Sequence, residues 1–284
     1  MPDDSKKKTK KFEDITKVAD LIAYLDSFGP RLSITENLYH YTTLENAVKI
    51  IQGQKWHLVS AKDMNDRREY RNGDDKRWDN LFFASFMRED KESIGMWSMY
   101  SQPWRKGVKI SIPKETFKQW VGEISVIHEI SKINYQPTGR SIKLYKNSDA
   151  RVYISTVAYS NSESLEDRKK SKEMLQCGGE KNVHIHNAVS IPELTGYVKD
   201  MAWVAEKEVR IKAEFDNSEY KFERVAIDVP DYVIENMTIT ASPLFKGDLH
   251  EELENTIKRL SIKTDKSLFN GDLEVKHPCS ECML

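Results

Sequence analysis

Cysteine is scarce in this chain: Cys177, Cys279 and Cys282 are the only three among 284 residues. Three thiols cannot build a disulfide framework, and so small a number fits a reducing compartment. Long apolar runs are missing as well. No stretch approaches the roughly 20 residues of a membrane span, and the opening MPDDSKKKTKKFEDITK carries charge with no apolar segment behind it. No secretory signal is read there, and a cytoplasmic location is the default expectation. An excess of either charge is also lacking, because 44 Lys and Arg stand against 45 Asp and Glu. Global electrostatics therefore names no partner. Finally, there is no Gly-x-Gly-x-x-Gly turn, so a Rossmann mode of dinucleotide binding is not indicated.

What is present is a globular but wet composition, 39% hydrophobic and 31% charged. The length suffices for one substantial core. Charges are well mixed except at Lys6, Lys7, Lys8, Lys10 and Lys11. That run could touch phosphates, but a solvated tail is the favoured reading. We expect a flexible basic tail over 1–12, one domain over 13–270 and a second tail over 271–284. The C-x-x-C of Cys279 and Cys282, with His277 nearby, lacks a second ligand pair in sequence, so no metal site is expected. Cys177, His184 and His186 could complete one only by coincidence of fold.

Along the chain, Ile15, Val18, Ala19, Ile22 and Leu25 recur at helical spacing over 13–27, and Gly29-Pro30 ends that pattern. Leu38–Tyr41 reads as a short strand with His40 near its end. Thr42 and Glu45 then form a capping-box pair, Leu44, Ala47, Val48 and Ile51 share one helix face, and Gly53 marks the stop. Strands are expected at 56–59, 81–86, 107–112, near 124–134 and 151–158, over 203–215 and over 222–229. Helices are expected at 92–100, from Pro113 to Val121, and as a charged helix at 163–176. A strand then a helix close the domain at MTITASP and HEELENTIKRL. The polar stretch 60–80 has the composition of a long, functional loop. Short strands with scattered helices argue for α+β.

Residues two apart on a strand share a face. Read as one strand, 203–215 places Val204, Glu206, Glu208 and Arg210 together, and turns Ala205, Lys207, Val209 and Ile211 to the core. A solvated charge ladder is the ordinary meaning of such a face. Trp203 at its start, and the bunching of the charged trio there, argue for a site instead.

In order along the chain stand Leu38-Tyr39-His40-Tyr41-Thr42, Asn65-Asp66 with Glu69, a strand ending in Ser85-Phe86, Met96-Trp97 with Tyr100, Gly107-Val108 with Ile110, and Trp203 with Glu206, Glu208 and Arg210. This series resembles a large bacterial domain family without an assigned function, and the resemblance covers roughly residues 38–262. That family is similar in turn to the ADP-ribosyltransferase superfamily, which includes the DarT-type DNA-modifying toxins and the poly-ADP-ribose polymerases. The resemblance implies an ADP-ribosyltransferase-like split central β-sheet with flanking helices. It implies NAD as a consumed substrate, and a mono-ADP-ribosyltransferase acting as a toxin or anti-phage effector. His40 matches the superfamily's early His, Ser85 or Tyr100 its middle element, and Glu206 or Glu208 its late Glu. The departure is at the middle element, where no single tyrosine aligns.

By the same resemblance, Glu208 or Glu206 would stabilise an oxocarbenium-like ribose as nicotinamide leaves, and the other carboxylate would orient the acceptor. Arg210 would hold a phosphate or keep Glu208 ionised. His40 would bond the adenosine ribose, with the neighbouring backbone through Thr42 gripping the carboxamide. Tyr41, Trp97 or Tyr100 would stack on nicotinamide, and Asn65 would help shape the covering loop. The expected acceptor is RNA or single-stranded DNA, from basic runs at 6–11 and 168–172 and exposed-looking aromatics over 97–104. A protein acceptor, or a sensor that binds NAD without catalysis, is the alternative. An antitoxin is a possible partner, and no membrane is expected.

Overall fold

The computed structural model describes residues 37–66, 79–89, 91–130, 137–143, 150–160, 196–215, 222–257 and 262–271. Outside them lie the expected helices over 13–27 and 163–176, the basic run at 6–11, all three cysteines, Glu69 and the larger part of the 60–80 loop.

The fold is α+β, with an 11-stranded sheet and few, short helices. Strand β1 (Leu38–Thr43) runs straight into α1 (Leu44–Gly53), whose buried face is Leu44, Ala47, Ile50 and Ile51. The helix begins one residue later than the Thr42–Glu45 capping box predicts. Thr43 is the N-cap and accepts from Asn46 N at 3.2 Å, while Glu45 turns outward to Lys49. Adjacent threonines offer equivalent caps, and the length of the strand selects the second. At the other end Gln54, not Gly53, takes the left-handed conformation, at φ 48°.

Next come β2 (Lys55–Ser60), β3 (Leu81–Met87), α2 (Ile94–Tyr100), β4 (Gly107–Ile112), α3 (Lys114–Glu123), β5 (Val126–Ile130), β6 (Pro137–Lys143), β7 (Ala150–Thr156) and β8 (Ala158–Ser160). The chain continues through β9 (Val198–Asp200), β10 (Glu208–Phe215), β11 (Val225–Asp228), α4 (Asp231–Asn236), β12 (Thr238–Ala241), α5 (Leu249–Thr256) and β13 (Lys263–Lys266). The main path of the sheet is β13-β12-β4-β1-β3-β2-β11-β5-β6, and β10 and β7 branch from β3. Strands β8 and β9 form a separate parallel pair.

Strand β3 is the junction. Its pairing with β10 runs its full length, from Glu208↔Met87 to Glu214↔Leu81. Strands β1 and β2 therefore share its other edge: β1 meets it only at Tyr39↔Met87, and β2 at Val59↔Phe83 and Ser60↔Phe82. Between those two contacts the sheet splits open. Behind the split lies the main core, in which Trp56, Phe86, Phe117 and Trp120 pack with ring centroids 4.9 to 6.4 Å apart. A smaller cluster of Tyr39, Tyr41, Met87, Met96 and Trp97 lies apart from it. Apolar burial of this kind is the main favourable term in folding.

The region 203–215 corrects the sequence reading. Residues Met201–Glu206 form a 3₁₀ turn, Lys207 is left-handed at φ 41°, and the strand begins only at Glu208. Glu206 therefore does not reach Glu208 by strand alternation. Nor is the charged face solvated, since every residue of β10 is buried. Val209, Ile211, Ala213 and Phe215 enter the main core, while Glu208, Arg210, Lys212 and Glu214 turn the other way and are covered too. Burying such charges is tolerable only because they pair.

Candidate active site at the split of the sheet

The split between β1 and β2 is the mouth of a cavity of about 260 Å³. Strand β1 brings Tyr39, His40 and Tyr41 to it, and β3 brings Phe83 through Met87. Helix α2 adds Met96 and Tyr100, and the segment after β2 adds Asp63, Met64 and Asn65. The floor is charged: Lys199, Glu206 and Glu208.

His40 is fixed by what surrounds it. Its Nδ1 lies 3.0 Å from the Ser85 carbonyl oxygen, which can only accept, so Nδ1 carries the proton and Nε2 is an acceptor. The ring is edge-on to Trp56 at 5.0 Å. Burial lowers its pKa below 6.5, and the Ser85 carbonyl opposes this only in part. His40 is therefore a neutral imidazole at pH 7.

The carboxylates are held more elaborately. Arg210, with 0% exposure, donates from Nε to Glu208 Oε1 at 2.6 Å and from Nη2 to Oε2 at 3.0 Å. Its Nη1 is used on the Gly196 carbonyl at 2.5 Å. The Glu208 backbone N–H donates to the Tyr159 hydroxyl at 2.8 Å, and the Ser85 hydroxyl donates to the Glu208 carboxylate. Burial pushes the Glu208 carboxyl up, but Arg210, Lys199 and these hydrogen bonds outweigh it and hold it below 4.5. Glu206 accepts from the Tyr100 hydroxyl on one oxygen and from Lys199 Nζ, at 2.5 Å, on the other. Lys199 Nζ also lies 3.5 Å from Glu208 Oε2 and 4.6 Å from the centre of the Trp203 ring. Burial and Glu206 raise the Tyr100 pKa far above 10, so its hydroxyl stays a donor. Asn65, itself exposed, hydrogen-bonds the same phenol.

Of the residues expected from sequence, His40, Tyr41, Asn65, Ser85, Tyr100, Glu206 and Glu208 come together around the cavity. Thr42, Trp97 and Arg210 are not among its lining residues. The Thr42 hydroxyl accepts from the Asn46 side chain. Trp97 is fully buried, edge-on to Tyr41 at 4.8 Å, with Nε1 donating to Glu92 at 3.2 Å. It has no face to offer a ligand, and Trp104 is half-buried against the same cluster. The exposed aromatics expected over 97–104 are thus largely packed inside. Arg210 lies behind Glu208 with its three nitrogens engaged, in a position to hold that carboxylate and not a phosphate. Sequence reading missed Lys199, which sits on the isolated β8–β9 pair and has no local pattern to betray it. It also missed Tyr159, which reaches the site from β8.

Fold and cavity together define an α+β protein with a small aromatic-walled cleft over a paired acidic floor. Residues 96–211 match the model of a family described as protein of unknown function (DUF2971). The match begins at α2 and ends in β10, so it takes in Tyr100, Lys199, Glu206 and Glu208 and leaves His40 and Asn65 outside; it is shorter than the 38–262 expected from the motifs. No curated protein matches the sequence. Among solved structures, the chain is similar to Thermus sp. 2.9 DarT in complex with carba-NAD+, at 10% identity and a TM-score of 0.33, over 84% of this chain and 98% of that one. It is similar also to Thermus sp. 2.9 DarT in complex with ADP-ribosylated single-stranded DNA, at 11% identity and a TM-score of 0.32, over 81% and 93%. No helix among the described residues is long and apolar enough to cross a membrane.

Proposed function

We propose that this chain is an NAD-consuming mono-ADP-ribosyltransferase, and that the cleft at the split of the sheet is its active site. The observation that carries the reading is the floor of that cleft, where two fixed carboxylates sit beneath aromatic walls, opposite a neutral imidazole whose Nε2 accepts. The nicotinamide end of NAD is a cationic aromatic ring on a ribose. Aromatic walls and fixed negative charge suit it, and a cavity of about 260 Å³ takes that end and not the whole dinucleotide.

In the reaction the bond from the ribose anomeric carbon to the nicotinamide nitrogen breaks, and its electron pair leaves with neutral nicotinamide. No general acid is needed. Positive charge grows on the ribose, and Glu206, held by Tyr100 and Lys199, supplies preorganised negative charge beside it. The acceptor's nucleophile then bonds to the anomeric carbon and gives up its proton, to a carboxylate or to water. His40 Nε2 accepts from a ribose hydroxyl, and Tyr41 stands at the wall for ring contact.

The acceptor we propose is nucleic acid, RNA or single-stranded DNA. Its support is the basic runs at 6–11 and 168–172, since Trp97 and Trp104 are packed within the fold. The test is incubation with labelled NAD beside separate pools of RNA, single-stranded DNA and cell protein. Wild type should release nicotinamide and label one nucleic-acid pool, and Glu206→Gln should do neither. Glu206→Gln is the informative variant because Glu208→Gln would also strand the buried Arg210. Label in the protein pool alone would replace the acceptor, and no nicotinamide release with any pool would sink the transferase reading.

A further inference from the structure

Two carboxylates share the floor of the cleft, and both are nearly sealed from water, Glu206 at 3% and Glu208 at 4% exposure. Like charges at such range do not both ionise without compensation. Arg210 compensates Glu208 through two hydrogen bonds. It makes no such bond to Glu206, whose ionic partner is Lys199, at 2.5 Å. Lys199 is equally sealed, at 4% exposure, and its ammonium also reaches Glu208 Oε2 at 3.5 Å. Among the described residues, the other groups hydrogen-bonded at the pair are hydroxyls: Tyr100 from α2 on Glu206, Ser85 from β3 on Glu208, and Tyr159 from β8 on the Glu208 backbone N–H. His40, across the cleft, is neutral.

We infer that Lys199 is a positioning residue of this site, the cation that bridges Glu206 and Glu208 and aims Glu206 at the ligand. It enters from outside the main sheet. Among the described strands β9 pairs with β8 alone, in the register Tyr159↔Lys199, so one small parallel ladder delivers the ammonium to the carboxylates and the Tyr159 phenol to the Glu208 backbone N–H. The Trp203 ring, 4.6 Å from Nζ, covers the ammonium where water would otherwise replace the carboxylates. Among the described residues the charges of the site alternate, Glu206, Lys199, Glu208 and Arg210. The cationic end of a ligand adds to a floor that is already balanced, in place of filling a vacancy between two unpaired carboxylates.

The inference rests on the transferase reading for its catalytic consequence, but its electrostatic core does not depend on that reading. Removing the ammonium in Lys199→Met leaves one guanidinium for two carboxylates. The Glu208 carboxyl, which Lys199 helps to hold down, then rises and keeps its proton to higher pH. Because Glu208 is held below 4.5 in wild type, its titration should not limit nicotinamide release by wild type near pH 6. In Lys199→Met its acid limb should move up by at least about one pH unit, a tenfold loss near pH 6 that recovers at pH 8. Lys199→Arg should restore most of the wild-type profile. A Lys199→Met enzyme whose activity falls by one factor at every pH, or not at all, would overturn the assignment.

Thermal melting carries a second readout that needs no activity. A carboxyl whose folded pKa rises above its unfolded value adds stability below the unfolded value and loses it as pH rises. The melting-point gap between wild type and Lys199→Met should therefore widen from pH 5 to pH 8. A gap independent of pH would refute the pairing whether or not the protein cleaves NAD. If wild type releases no nicotinamide while the gap still widens, the transferase reading fails and the charge assignment stands. Should Lys199→Met fail to fold, Lys199→Met with Glu206→Gln removes both partners and should recover a folded protein. Recovery supports the pair, and failure of the double variant also to fold opposes it.

Discussion

Arg210 grips Glu208 with two nitrogens on two oxygens, 2.6 and 3.0 Å, and the guanidinium has no exposed surface. The two residues sit two positions apart on the same face of β10, so the backbone itself sets the chelate. Phe83 lies beneath, its ring centre 5.2 Å from the guanidinium carbon.

Breaking that pair from one side should be severe. Arg210→Ala leaves a buried carboxylate without its main partner and the Gly196 carbonyl without its donor, and should cost about 3–5 kcal/mol. Arg210→Lys should recover only part of this, because an ammonium cannot reproduce the fork. Urea unfolding of the three proteins measures it. An Arg210→Ala protein within about 1 kcal/mol of wild type would contradict the account.

Gly196 should tolerate no side chain. It sits at φ 81°, and a Cβ there would lie 2.3 Å from Phe83 Cζ and 2.5 Å from Cε1. Gly196→Ala combines about 1–3 kcal/mol of backbone strain with about 1–3 kcal/mol of overpacking, and moves the carbonyl that Arg210 uses. Melting should drop by several degrees, and nicotinamide release should fall with it. An unchanged melting point would show that Phe83 moves aside freely.

The acid side of the stability curve should have two steps. Burial holds the His40 pKa below 6.5, so below that pH the unfolded chain takes a proton that the native ring refuses. Stability from this group is fully present above pH 6.5 and is lost as pH falls toward the native value. Glu208, held below 4.5, loses its contribution only as pH falls through its depressed native value. His40→Gln should therefore flatten the upper step and leave the lower one. A curve of unfolding free energy against pH that is flat between 6.5 and 5 in wild type would count against a buried neutral His40.

Glu92 should act as a clasp for the C-terminal strand. Its side chain, 3% exposed, meets Lys109 at 3.1 Å, Trp97 Nε1 at 3.2 Å, Ser267 Oγ at 2.5 Å and the Leu268 N–H at 3.4 Å. Glu92→Ala strands Lys109 in the interior and should cost about 3–5 kcal/mol. Hydrogen exchange should quicken in β13 before it quickens in β10. Equal change in both strands would mean that Glu92 supports the whole fold and not its edge.

Much of the scaffold is legible in the sequence for simple reasons. Gly107 and Pro113 bracket β4, and the apolar 81–86 run can only be a buried strand. The 201–207 segment deceives because its Glu-Lys-Glu alternation imitates a strand, while its left-handed residue is a lysine and not the glycine or asparagine that would announce a turn. The two-sided burial of β10 is invisible locally, since the rings around its polar face, Tyr153, Tyr159 and Tyr197, come from distant segments. Trp97 shows the opposite failure. Its place in the Met-Trp-x-x-Tyr series makes it a candidate for ligand contact, yet its indole is used up on Tyr41 and Glu92.

The shared edge of β3 has a consequence for how the protein comes into being. A strand flanked by β1, β2 and β10 collects partners from both halves of the chain, and the cavity is the space those partners leave between them. During synthesis, the wall at His40 emerges long before its floor at Glu208. No partly made chain can therefore possess the site, and long-range closure of this kind is slow. The cavity is completed late, when β10 docks, so anything that delays that docking also delays its floor.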